Sequence, residues 1–313
     1  MKNTIDINSN DNTLFVTGLC NNRCLMCCQP PTKNDDIDFF FEKNLELIKT
    51  APKNLPIIGI SGGEPTLAGE RFFELISAIR QHLPDTTIHI LSNGRIFANG
   101  NYAEKLKEIG GNNLLLGIPV HSDSGLIHDK IADVKNAFNE TIIGLYNLAA
   151  FGISIELRIV INKLNYKRLM QLSDFIFKNL SFVNHVSFMA MEYIGFAVKN
   201  SKQIWIEPRE YVTNLKEAVL NLNGWEIDVS IFNLPLCLLP ETLHTFACKS
   251  ISDWKSSYVE VCNKCLKKDD CCGLFSTSKQ NFEGLRTFTA FDQIHTSIDK
   301  LQRVVANRNL QIP

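Results

Sequence analysis

Hydrophobic and polar positions alternate between two periods along most of the chain. Short β-branched or apolar runs read as strands at Leu14–Thr17, Ile57–Ser61, Thr87–Ser92, Leu114–Val120, Ile153–Ile161 and His185–Ala190. Between them, Phe39–Thr50, Arg71–His82, Tyr102–Ile109, Val134–Phe151 and Lys167–Asn179 place apolar residues at helical spacing, as in Phe72, Leu75, Ile76 and Ile79. A repeated strand–helix order predicts a parallel sheet with helices outside it. Six strands fall short of the eight of a closed TIM barrel, so the economical α/β fold is a partial, open (β/α)6 TIM-like barrel. Its active end would lie at the carboxyl ends of the strands.

Near residue 200 the pattern changes. A helix runs from Pro208 to Asn221 and Trp225–Ile231 reads as a strand, after which cysteine and turn residues dominate. The expected division is a core barrel over residues 12–200 and a smaller C-terminal module over 201–313. A further helix is expected at Asp292–Ala306. No repeat or low-complexity linker interrupts the chain.

Composition narrows the function classes. The 313 residues are 45% hydrophobic, enough for one large or two smaller domains. No apolar run approaches the ~20 residues that span a membrane, and Met1–Asp6 has no apolar signal core. A cytoplasmic location is therefore expected, where ten clustered cysteines bind metal more often than they pair. The net charge is −1, and Lys267-Lys268 is followed at once by Asp269-Asp270, so there is no electrostatic footprint for nucleic acid.

The candidate chemistry sits at strand ends. Cys20, Cys24 and Cys27 follow the first strand in a C-x3-C-x2-C spacing. Thiolates this close suit an iron–sulfur cluster, and three of them leave one iron of a 4Fe–4S cluster without a protein ligand. Such an open position is what a catalytic metal site keeps. A zinc site and a cluster of buried thiols are the alternatives. Ile58-Gly-Ile-Ser-Gly-Gly-Glu-Pro65 runs a strand into Gly62, Gly63 and Glu64; it is either a tight turn or a close backbone approach to a ligand. Ser92-Asn93-Gly94 ends the third strand and is a turn by composition. Arg158 stands on an otherwise apolar strand and needs an anionic partner, either a ligand or Glu156 two residues before it on the same face. His121 and His128 follow the fourth strand. A satisfied hydrogen-bonding role is the expectation for both, with proton donation or substrate contact as the alternative. A second group, Cys237, Cys262, Cys265 and Cys271, could close a 4Fe–4S cluster or an all-cysteine zinc site, and Cys272 competes with Cys271. Cys28 and Cys248 are left as small buried hydrophobes.

The cysteine spacing followed one β–α unit later by Gly-Gly-Glu-Pro resembles the radical S-adenosylmethionine (radical SAM) superfamily. The resemblance implies that the open iron of the first cluster holds SAM by its amino and carboxylate groups. It implies that Gly62, Gly63 and Glu64 bind the amino group, that Ser92 and Asn93 contact the cofactor, and that Arg158 meets its carboxylate. It also implies an auxiliary 4Fe–4S cluster in the C-terminal module, reductive cleavage of SAM to a 5′-deoxyadenosyl radical, and an external electron donor. Met26 stands where many members carry an aromatic residue near the adenine. Residues 20–31, the stretch from Val120-His-Ser-Asp to His128-Asp, and Phe246-Ala-Cys-Lys-Ser-Ile-Ser-Asp-Trp254 resemble more narrowly the C-type radical SAM maturase of the His-Xaa-Ser repeat peptide system. That implies a ribosomally made peptide substrate and a second radical SAM protein as partner. The stretch before Leu14 is too short to fold alone, so peptide recognition is expected to rest with a partner. The alternatives are the same enzyme class acting on RNA or a small metabolite, and a non-enzymatic iron–sulfur electron carrier or redox sensor.

Overall fold

The structure is a computed structural model that describes residues 4–9, 11–250, 255–277 and 284–289. The expected helix at Asp292–Ala306 and residues 251–254 lie outside them.

The core is one parallel sheet whose spatial order follows the chain: β1 (Thr13–Phe15), β2 (Ile57–Ser61), β3 (Thr87–Leu91), β4 (Leu114–Pro119), β5 (Ser154–Val160), β6 (His185–Met189), β7 (Asp228–Phe232) and β8 (Ala247–Cys248). The sheet is open, with β1 and β8 as its edges. Its connections carry α1 (Ile37–Thr50), α2 (Glu70–His82), α3 (Gly100–Gly110), α4 (Gly125–Ala132), α5 (Ala137–Ala150), α6 (Leu169–Asn179), the short α7 (Phe196–Lys199) and α8 (Ser201–Ile204), and α9 (Pro208–Gly224).

Strand alternation divides the two faces. Ile58, Ile60, Ile88, Ile90, Leu116, Ile118, Ile155, Leu157, Ile159, Val186 and Phe188 are fully buried in one apolar core with helix residues such as Phe72, Ile76, Leu145 and Ile176. The opposite face carries Ser61, His89, Arg158 and Ser230, which are half-buried. This face is the interior of the partial barrel.

The sheet does not stop near residue 200. β7 pairs in parallel with β6, His185 opposite Asp228, and β8 pairs with β7. These two strands exceed the six expected, and α9 is the connection that makes the crossover possible. Pro208 opens α9, Glu210 accepts a hydrogen bond from Glu207 N at 3.4 Å, and Asn221 ties α9 to Ser173 and Asp174 of α6. The expected Val134–Phe151 helix instead begins at Ala137, and α4 precedes it. Asp133 and Asn136 adopt positive φ (54° and 64°), which breaks the helical run between the two. Beyond β8, β9 (Ser256–Ser257) and β10 (Leu274–Phe275) form a small antiparallel pair. Among the described residues no helix is long and apolar enough to cross a membrane.

Candidate functional site

The first three cysteines lie on the loop between β1 and α1, and backbone hydrogen bonds hold that loop from several sides. Arg23 N and Leu25 N donate to Ala132 O and Ile131 O at the end of α4 (3.0 and 2.9 Å). Phe196 N donates to Cys27 O at 2.8 Å, and Asn200 Nδ2 to Leu25 O at 2.9 Å. Met26 is buried with Ile131, Met191, Ala197 and Ile204, between the loop and α4, α7 and α8. Burial pushes the thiol of Cys20 up. Burial and the other two cysteines push Cys24 to about 12, and burial with the nearby Cys28 and Cys20 pushes Cys27 to about 11. Three thiols massed this way become thiolates only if a cation offsets their charge, which is the service a metal cluster performs. The donor set therefore fits a cluster.

Gly62 and Gly63 do more than turn the chain. A Cβ on Gly62 would stand 2.6 Å from Thr17 O, and one on Gly63 would overlap Leu19 O. Gly63 N and Glu64 N donate to Thr17 O and Leu19 O, both at 2.7 Å. Their small size thus seats the backbone leading into Cys20 directly on the end of β2. Glu64 is almost fully buried. Its Oε1 accepts from Thr66 N (3.2 Å), Thr66 Oγ1 (2.7 Å) and Ser92 Oγ (2.8 Å), and its Oε2 from Asn93 N (2.7 Å). Burial pushes its carboxyl above the usual range, against these donors. With a single donor, Oε2 keeps a free lone pair. Asn93 also donates to Asn21 Oδ1 at 2.6 Å and reaches Cys20. Ser92 and Asn93 are therefore brought together with Glu64 and the cysteine loop.

Arg158 is in the barrel interior, next to Glu156. Its Nη1 lies 3.1 Å from both carboxylate oxygens, and Nη2 points at Met189 Sδ at 3.5 Å. Glu156 also accepts from Ser187 Oγ at 2.5 Å, and His89 Nε2 stands 3.0 Å from Oε2, off the line of a good hydrogen bond. Burial opposes the charge of Glu156, but His89, Arg158 and Ser187 together lower it to about 2. The internal partner anticipated for Arg158 is thus present.

With the loop, the glycine clamp and the parallel sheet in place, comparison with known proteins assigns the family. The radical SAM superfamily pattern matches residues 14–176, just over half of the chain. The chain belongs to the radical SAM superfamily. Its members use a 4Fe–4S cluster and S-adenosylmethionine. The chain is 29% identical over 174 residues to the Fe-coproporphyrin III synthase of Methanosarcina barkeri, covering 51% of this chain and 39% of that protein. The fold is similar to that of anSMEcpe with bound AdoMet (TM-score 0.56, 19% identity, 69% of this chain and 62% of that one). It is also similar to that of Streptococcus suis SuiB bound to the precursor peptide SuiA (TM-score 0.52, 15% identity, 70% and 47%). The chain spans less than two thirds of the length of each.

Outside the region that matches the radical SAM pattern, Cys237, Cys262, Cys265 and Cys271 line one cleft, together with Tyr258, Lys267 and Phe288. Leu236 N and Gly273 N donate to Cys271 Sγ, and Phe288 N to Cys265 Sγ, all at 3.4 Å. A hydrogen bond from Cys272, aided by those amides and Lys249 against the cost of burial, lowers Cys271 to about 6. Cys272 is itself buried outside the cleft lining and directs its thiol at Gly273 O (3.2 Å). Of the two adjacent cysteines, Cys271 is the one that lines the cleft. Among the described residues no three His, Cys, Asp or Glu side chains converge on the position of a single ion.

Some sequence expectations change. Cys28 is exposed and Cys248 half-buried, so neither is the small buried hydrophobe expected; Cys272 is. His128 Nδ1 accepts from His121 N at 3.2 Å, but neither ring nitrogen of His121 has a hydrogen-bond partner among the described residues, so the satisfied role expected there is not seen among them. Burial lowers both histidines, His128 to about 4 with help from Arg95, and both rings are neutral. Two supporting residues escaped the sequence reading. Arg95 donates to Asn21 O and Asn22 Oδ1, both at 2.8 Å, and to Glu140 Oε2 at 2.6 Å. Gly195 lets Cys27 O approach to where a Cβ would lie 2.6 Å away. The position of Arg95 directly after Ser92-Asn93-Gly94 was the available signal; Gly195 had none.

Proposed function

We propose that the chain is a peptide-modifying radical SAM enzyme, the C-type maturase of a His-Xaa-Ser repeat peptide system, in which Cys20, Cys24 and Cys27 hold the SAM-binding 4Fe–4S cluster. The observation that carries this reading is the seating of the cysteine loop on Gly62–Glu64, which sets three half-buried thiols beside a carboxylate with an unused lone pair. Glu64 Oε2 is the acceptor for the amino group of SAM. Gly62 and Gly63 keep the loop close, and Ser92 and Asn93 fix the carboxylate. Arg158 keeps its Nη2 edge for the cofactor carboxylate, exchanging a weak contact with a thioether for a charged one. The bound cluster and SAM supply a one-electron cleavage that yields a 5′-deoxyadenosyl radical, and the chain's own residues bind, orient and exclude water.

The C-terminal cleft is proposed to hold an auxiliary 4Fe–4S cluster on Cys237, Cys262, Cys265 and Cys271. Four thiols facing one cleft, two of them receiving backbone N–H donors, match what such a cluster takes from a protein. Support for a peptide substrate comes from the likeness to SuiB, solved with its precursor peptide. The likeness in sequence to the Fe-coproporphyrin III synthase favours a second reading, a small tetrapyrrole-like metabolite.

The test is anaerobic reconstitution of the protein with iron and sulfide. With dithionite it is expected to cleave SAM to 5′-deoxyadenosine, and Cys24→Ala is not. Absence of cleavage by the intact protein would favour an electron carrier. A His-Xaa-Ser repeat peptide that loses or gains mass only with SAM and the intact enzyme supports the maturase; change in coproporphyrin alone supports the second reading.

A further inference from the structure

We propose that His89 is a positioning residue for the cofactor: acting through Glu156, it keeps the Nη2 edge of Arg158 free for the SAM carboxylate. The inference rests on the reading that Arg158 meets that carboxylate, and adds what holds the guanidinium ready for it. An arginine beside a carboxylate often closes on it with two nitrogens, each facing one oxygen. Arg158 does not. Only Nη1 contacts Glu156, at 3.1 Å from each oxygen, while Nη2 rests 3.5 Å from Met189 Sδ. A thioether is a weak acceptor, so an incoming carboxylate displaces it readily.

The other neighbours of Glu156 give the reason for this single-nitrogen contact. Ser187 Oγ donates to Oε1 at 2.5 Å, and His89 Nε2 stands 3.0 Å from Oε2. Glu156 and Ser187 are buried, so water does not take these places. With each oxygen already engaged, one guanidinium nitrogen enters between them and the other is left over. His89 and Glu156 reach each other across a strand. His89 is on β3 and Glu156 on β5, with β4 between. Gly117 of β4 pairs with Glu156, and a Cβ on it would lie 3.0 Å from both His89 Nε2 and Arg158 Cδ. Any other residue there would fill the gap through which the imidazole meets the carboxylate. The ring nitrogen is buried and has no aligned hydrogen bond among the described residues. It nevertheless occupies the Oε2 side, which the second guanidinium nitrogen would otherwise take.

The experiment compares reconstituted holoenzyme with His89→Ala, His89→Gln, Arg158→Ala and the double variant His89→Ala/Arg158→Ala, each corrected for first-site iron. SAM affinity is measured by calorimetry, and KM and kcat for SAM cleavage with dithionite. His89→Ala opens the Oε2 side, and the guanidinium closes on Glu156 with both nitrogens. SAM binding is expected to weaken about tenfold, as for loss of a charged hydrogen bond, and KM to rise in proportion, with kcat at saturating SAM within about twofold. His89→Gln, whose amide reaches the same oxygen, is expected to restore most of the affinity. In the Arg158→Ala background the same replacement adds nothing, because its effect passes through the guanidinium. A merely structural histidine would lower iron loading and leave SAM affinity per iron unchanged. Unchanged affinity in His89→Ala, or additive losses in the double variant, overturns the inference and leaves the assignment of Arg158 standing. Unchanged affinity in Arg158→Ala overturns that assignment and the inference with it. If His89→Ala takes up no iron, Ser187→Ala decides: it opens the Oε1 side and is expected to weaken SAM binding likewise, and unchanged affinity there overturns the inference.

Discussion

At the scale of single residues, the absence of a side chain does as much as its presence. Gly63 has no room for a methyl group because Leu19 O occupies the space, so Gly63→Ala must push the cysteine loop off β2. The expected outcome is a folded protein destabilised by about 1–3 kcal/mol, the usual cost of forced overpacking. Its first-site iron should be lost at the same time, as read by urea melts and by iron assay on the reconstituted variant. Retained iron would show that the loop tolerates the displacement. Glu64→Gln tests a different property. Thr66, Ser92 and Asn93 all donate to this group, so an amide nitrogen in its place meets donors and the anion is lost. Iron content should survive, and SAM affinity measured calorimetrically should fall about tenfold or more, as for loss of a charged hydrogen bond.

At the scale of elements, β3, β5 and β6 are linked across the barrel interior by His89, Glu156, Arg158 and Ser187. Glu156 is held down to about 2 from an ordinary 4.5, so the folded protein binds its proton less readily than the unfolded chain. Its contribution is complete above about pH 4.5 and is lost as pH falls through 2, worth on the order of 3 kcal/mol for a shift of that size. His128 adds to the same acid limb. Its folded value of about 4 against 6.5 means that stability is lost as pH falls from about 6.5 toward 4. Chemical denaturation between pH 7 and 3 should therefore show stability falling in two stages. Glu156→Gln should flatten the lower stage, and an unchanged profile in that variant would contradict the linkage. Arg95→Ala belongs to this scale too, because it removes the tie from the end of β3 to Asn21 and Asn22 and from there to α5 through Glu140. First-site iron should be released faster to a chelator, with the thermal midpoint falling only modestly.

At the scale of the molecule, the two groups of cysteines sit on different supports. The first rides on a loop clamped by four β–α units. The second lines a cleft between the β7–β8 connection, which carries Cys237 in a short turn at Leu236–Leu238, and the segment with the turn at Glu260–Lys264 and the β9–β10 pair. The supports are separate, so the sites should load independently. Replacing Cys20, Cys24 and Cys27 together by alanine is expected to leave half the iron in the reconstituted protein, and loss of all iron with zinc retained would refute the auxiliary cluster.

Sequence alone was sufficient where local pattern carries the physics. The parallel α/β order was legible because strand and helix periods differ sharply, and Ile57–Ser61 is a strand over the predicted span because Ile58 and Ile60 alternate cleanly. The cysteine spacing and Gly-Gly-Glu-Pro were legible because metal and turn chemistry use short chain intervals. What joins distant segments was not. The seventh and eighth strands depend on α9 returning the chain to the sheet edge, and no local period in Trp225–Ile231 says which sheet it will join. The contacts of Arg95 and Gly195, and the placing of Cys271 rather than Cys272 in the cleft lining, arise only when loops far apart in the chain come within bonding distance. Tertiary packing sets those contacts through excluded volume and the need to pair buried polar groups, and neither acts until the chain has folded.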